Sequence, residues 1–170
     1  MHHAAKIVDM STNPVAPFPA ERGTRRWLTA DEERAWRAFR RILVVVTERT
    51  AKDLATTGLS MPDYEVLSTL VDRADHRWGL RDMAAKMEWS RSRLSHQISR
   101  MEKRGLIERA PDPGDGRGIL LHLTDTGYAT LKAATPTHLA SVRARFVDHL
   151  TPEEMGMLES LADRVHGPLP

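Results

Sequence analysis

The residues with the clearest chemistry lie between Ser90 and Lys103, in the run SRSRLSHQISRMEK. Serine, histidine and arginine side chains donate hydrogen bonds to base edges and phosphates, and arginine's planar fork suits guanine and phosphate better than a lysine ammonium does. At 100° per residue, a helix that buries Leu94, Ile98 and Met101 turns Ser92, His96, Ser99 and Lys103 directly outward. Arg93, Ser95 and Arg100 flank that face, and Arg91 reaches forward from the first turn. Small serines let such a helix enter a DNA major groove closely, and a helix start at Ser90 offers free backbone N–H groups to a phosphate. A solvated Arg/Ser face would show the same pattern, so the neighbouring elements must decide.

Those elements read clearly. Residues 1–26 carry Pro14, Pro17 and Pro19 without periodicity and read as an N-terminal arm. Thr29 and Glu32 form a capping box for a helix running to about Leu54 with Trp36, Phe39, Leu43 and Val46 at helical spacing. Ser60 with Asp63 caps a second helix, and Leu80 to Met87 forms a short third. Ser90 caps the fourth, with Trp89 and Leu94 as a hydrophobic staple and Gly105 as the stop. Leu106–Ala110 and Ile119–Leu123 read as strands around the turn PDPGDGRG. Thr124 opens a long fifth helix to about Leu150, bent at Pro136, and Thr151-Pro152-Glu153-Glu154 starts a last one ending near Gly167. The fold class is mainly α with a small β-wing.

Composition narrows the function. Between Arg77 and Arg109 there are nine Lys/Arg against four Asp/Glu, so the basic charge sits in the candidate reading segment although the net charge is only +2. With no cysteine, disulfides, thiol redox sensing and thiolate-bound zinc are excluded. No run approaches a membrane span or a signal peptide, which leads to the expectation of a soluble cytoplasmic protein. The eight histidines form no i, i+4 pair with a carboxylate between, so no metal site is assigned, although a dimer would be able to bring distant histidines together. No nucleophile elbow, phosphate loop or dinucleotide fingerprint occurs, and an enzyme is not expected. No cofactor is called for.

The stretch WSRSRLSHQISRMEKRGLIERAPDPGDGRGILLHLTDTG resembles the multiple-antibiotic-resistance regulator (MarR) family of bacterial winged-helix repressors, a likeness extending from about Trp27 to Val165. RMEKRGLIER, the wing residues Asp115 and Arg117, and LTDTG are its most specific parts. The resemblance implies a homodimer joined through the first and last two helices, with two winged lobes on a pseudo-palindromic operator. It implies effectors that are small aromatic acids or phenols, bound between the dimerisation helices and the DNA-reading lobe. Ser90 to His96 (with Arg91, Ser92, Arg93 and Ser95) and Arg100 match the recognition helix, Arg117 the wing-tip arginine, and Asp115 the aspartate that holds it. The peroxide-sensing branch relies on a cysteine in the first helix that this chain lacks.

The resulting division is an arm (1–26), dimerisation helices (27–58 and 124–167) and a winged helix-turn-helix lobe (59–123). Trp27, Trp36, Phe39 and Tyr64 are the aromatics suited to border an effector cleft, of which Trp36, Phe39 and Tyr64 are taken as candidates. Core packing accounts for them equally. The expected function is a sequence-specific DNA-binding repressor. The alternatives are a chromosome-organising protein of low sequence preference and a small-molecule-binding dimer whose lobe no longer holds DNA.

Overall fold

The computed structural model describes residues 27–112 and 115–166, with the backbone alone described at 115–117 and 166. The expected arm lies outside these residues. Among the described residues, six α-helices and three strands follow in the order α1 (Ala30–Ala55), α2 (Met61–Val71), β1 (Arg77–Gly79), α3 (Leu80–Lys86), α4 (Arg91–Glu102), β2 (Ile107–Asp112), β3 (Asp115–Leu123), α5 (Asp125–Arg145) and α6 (Pro152–His166). A 3₁₀ turn at Val147–His149 separates α5 from α6.

Side chains fix the helix starts. Thr29 and Ser60 close reciprocal capping boxes with Glu32 and Asp63, while the Ser90 and Thr124 hydroxyls accept from the Arg93 and Gly127 amides. Gly58 and Gly105, after α1 and α4, adopt φ of +83° and +68°, the left-handed geometry that ends a helix at low cost with glycine. The core joins Val66, Leu67 and Leu70 of α2, Met83 and Ala84 of α3, and Leu94, Ile98 and Met101 of α4 to Ile107 and Leu121 of the sheet. Leu54 of α1 and Leu131 and Ala134 of α5 tie this lobe to the long helices.

Three expectations need correction. The sheet has a third strand, β1, which pairs with β3 at Trp78↔Leu121, so the order is β1-β3-β2. The strands are longer than read, β2 running to Asp112 and β3 starting at Asp115. Between Asp112↔Asp115 and Pro111↔Ile119 the register slips, so Gly116, Arg117 and Gly118 have no opposite number and bulge from β3. Lastly, α5 runs through Pro136 but ends at Arg145 rather than near Leu150, because Phe146 leaves the helical region at φ −142°, ψ −66°.

Candidate nucleic-acid interface

The short helix α3 and the longer α4 are joined by a turn in which Glu88 takes φ +55°. That left-handed conformation is unusual for a residue with a Cβ and costs on the order of 1 kcal/mol, so the surrounding packing must hold it. It swings α4 across α2 and leaves one of its faces in solvent. Ser90, Arg91, Ser92, Arg93, His96, Arg100 and Lys103 are exposed, whereas Leu94, Gln97, Ile98 and Met101 are buried.

Two serines are placed differently from the helical projection. Ser95 and Ser99 are half-buried beneath Arg109 of β2, whose Nη2 donates to the Ser95 carbonyl at 2.9 Å and the Ser99 hydroxyl at 3.1 Å. The Arg109 Nη1 also pairs with Glu102 at 3.4 Å. Ser99 therefore faces the wing strand rather than open solvent, and wing and helix are clasped together.

Gln97, which the helical projection assigned to neither face, belongs to a buried network. Its amide donates to Asp63 Oδ1 at 2.6 Å, while Asp63 Oδ2 receives Arg104 Nη1 at 2.8 Å, the Ser60 amide at 2.9 Å and the Ser60 hydroxyl at 2.8 Å. Arg104 also donates to the Gly58 carbonyl at 2.8 Å, and Arg100 donates to the Gln97 side-chain oxygen. Burial pushes the Asp63 carboxyl up, but the Ser60 and Arg104 donors outweigh it and hold the group below its ordinary range. The N-terminus of α2, the end of α1 and the whole of α4 are thereby locked at one angle. The capping-box signature revealed Asp63, but nothing local pointed to Arg104, 41 residues away.

Arg93 sits in the first turn of α4 with its guanidinium carbon 3.8 Å over the Trp89 ring. Asp115 and Arg117 lie on the wing hairpin, Arg117 at the centre of the β3 bulge; their side chains are outside the described residues.

The candidate effector residues fall in two places. Phe39 stacks on Trp36 with centroids 5.8 Å apart, and both are half-exposed on α1. Phe39 lines an apolar groove of about 470 Å³ with Leu43, Val46, Phe146, Leu158 and Leu161, which Tyr64 does not reach. Tyr64 instead packs on His138 of α5, 4.1 Å between centroids. Burial lowers the pKa of His138. Among the described residues no group of histidines and carboxylates could hold a metal ion, and no helix is long and apolar enough to cross a membrane.

Comparison with known proteins agrees with this geometry. A profile of the MarR family matches residues 59–119. The chain is 39% identical to AbsC, a MarR family transcriptional regulator from Streptomyces coelicolor, over 83% of this chain and 95% of that one, with a TM-score of 0.81. It is 33% identical to Sco3205 of the same organism, solved in complex with DNA, over 83% and 89% of the two chains, with a TM-score of 0.80. The uncharacterized HTH-type transcriptional regulator YkoM of Bacillus subtilis is 28% identical over 123 residues, 72% of this chain and 78% of the relative.

Proposed function

The chain belongs to the MarR family of transcriptional regulators, and from that premise we propose that it is a repressor, acting as a homodimer on a pseudo-palindromic operator and released by a small aromatic acid or phenol. The observation that carries the DNA reading is the exposed face of α4, with Arg91, Ser92, Arg93, His96 and Arg100 in solvent beside a two-stranded wing. Such a face fits a major groove; Ser90 and Ser95 border it at the helix start and beside the wing. Arg117, with Asp115 to orient it, is assigned to the adjacent minor groove, and its central place in a bulge supports that role because bulges re-aim side chains.

Support for the homodimer is an apolar face that one chain leaves uncovered. Trp36, Phe39, Ile42 and Leu43 of α1 and Met157, Leu158 and Leu161 of α6 all remain substantially exposed, which is costly unless a partner covers them. Arg34 and Arg37 pair with Asp31 and Glu33 within α1, which leaves Arg40 and Arg41 to complement acidic residues such as Glu159 and Asp163 of α6 on a second copy. The division into long dimerisation helices and a lobe at 59–123 follows from the same reading.

For the effector, the support lies where α1, α2 and α5 meet. Thr50 Oγ1 of α1 and His138 Nδ1 of α5 are buried without hydrogen-bond partners, and His138 stacks on Tyr64 of α2. A ligand offering one hydroxyl or carboxylate to such atoms, and a ring to the aromatics, would gain affinity from groups otherwise left unsatisfied. It would shift DNA binding only through unequal affinity for the DNA-competent and incompetent arrangements.

Selection from a random duplex pool tests the central claim. The expected product is a dyad motif with half-sites about 10–10.5 base pairs apart, or a multiple of that. A pool without enrichment, or a motif without a dyad, would overturn it. Aromatic acids that raise the melting temperature are then expected to release the selected duplex, and saturating ligands without that effect would remove the effector from the proposal.

A further inference from the structure

The contact between Trp89 and Arg93 has a role beyond closing the turn before α4. Trp89 is half-buried and packed against the core, so its ring is fixed, and Arg93 lies exposed above it at 3.8 Å. A guanidinium resting on an indole uses only its face; its N–H donors point outward around the edge and remain free for hydrogen bonds. The backbone of Arg93 is held too, because its amide donates to Ser90 Oγ at 3.1 Å. Burial pushes the carboxyl of Glu65 on α2 up, and the Arg93 charge offsets part of that.

We propose that Trp89 is a positioning residue that presents Arg93 as a pre-oriented fork for one guanine in each half-site. Three observations support it. Arg93 stands in the first turn of the helix, where recognition helices place the side chains that reach base edges. A fork held on a ring loses little freedom on binding, which favours the bidentate contact to guanine O6 and N7 over a diffuse phosphate contact. Arg100, the other flanking arginine, already donates to Gln97 and is less free to take that role. The inference rests on the assignment of α4 to the major groove.

Selection with variants separates the two levels. Wild type is expected to enrich a motif containing an invariant guanine in each half-site. Arg93→Ala should lose discrimination at that position alone, by about tenfold or more. Trp89→Met, which keeps apolar bulk but removes the π-face, should relax the same position while leaving melting temperature and non-specific affinity close to wild type. Trp89→Phe should restore most of the preference, and Arg93→Ala with Trp89→Met should be no worse than Arg93→Ala. If Trp89→Met lowers the melting temperature, the comparison is made with Trp89→Phe and Arg93→Lys, which keep the fold and alter only ring size or fork shape. A motif that needs Arg93 but tolerates Trp89→Met, or a Trp89 variant that relaxes every position equally, would overturn the positioning role. Absence of any motif for wild type would instead overturn the assignment of α4 to DNA.

Discussion

His96 and Asp63 lie on opposite sides of the same helix packing and act in different ways. His96 is exposed near the middle of α4, and if it reads a base, as proposed, it should govern specificity more than affinity. His96→Ala is therefore expected to flatten sequence preference at one position while non-specific binding stays within about twofold, measured by titration of operator and scrambled duplexes. A uniform loss on both would show a phosphate contact instead. Asp63 touches no solvent-facing ligand, yet every donor around it sets the angle of α4. Its carboxyl lies below its ordinary range in the folded chain, so its contribution is full above about pH 3.9 and is lost as the pH falls through the depressed value. Asp63→Asn should cost about 1–3 kcal/mol at neutral pH and reduce the acid dependence of unfolding. His138 has the opposite protonation state at stake: burial favours its neutral form, so stability present above about pH 6.5 declines as the pH falls below that. A His138→Phe chain whose unfolding kept the same slope between pH 7 and 5 would show that the ring does not report on that range.

At the scale of elements, the tightest fit is at the start of α5. Thr124 caps the helix, and its hydroxyl donates to the Gly105 carbonyl at 2.7 Å, so the stop of α4 and the start of α5 share one hydrogen-bonded corner. A Cβ on Gly127 would lie 2.1 Å from the Leu106 carbonyl oxygen, which is backbone and cannot swing aside. Gly127→Ala is thus expected to destabilise the chain by about 1–3 kcal/mol or more, readable as a lower urea midpoint. Wild-type stability in that variant would mean the corner is looser than it looks. This corner also explains how far sequence reading went. The N-caps at Thr29, Ser60, Ser90, Thr124 and Thr151, the Gly105 stop and the buried seam of α4 follow from local patterns and were all legible. The strand β1 was not, because three residues show no alternation and exist as a strand only through β3. Nor was the end of α5 legible, since no breaker stands at Phe146. At the candidate site, the exposed arginines and His96 were visible as a face, but Arg109 over Ser95 and Ser99, and Arg104 on Asp63, are contacts between distant segments. Periodicity carries no information about such pairs.

For the whole molecule, the apolar groove between α1 and α6 sets the expectation. Leu158 lines it and stays 39% exposed in a single chain, so Leu158→Glu should cost the isolated chain little. If a second copy covers the groove, the same change buries a charge at the contact and should move the sedimenting species from dimer to monomer at micromolar concentration. Operator affinity should fall with it, since each lobe would then bind alone. A Leu158→Glu chain that sediments as wild type would place the contact between copies elsewhere.

The wing reaches the long helices without any linker. Leu123 is still paired with Ile107 in the sheet, and the next residue, Thr124, is already the cap of α5. Chain length at this point is consequently constrained as strongly as residue identity. One alanine inserted between Leu123 and Thr124 would have to break the strand pairing or turn α5 by about 100° relative to the lobe. Substitutions along β3 that keep the count would be absorbed by side-chain repacking. Variation in this protein should therefore accumulate as exchanges across the junction, with insertions and deletions better tolerated at the β3 bulge, where the register already slips.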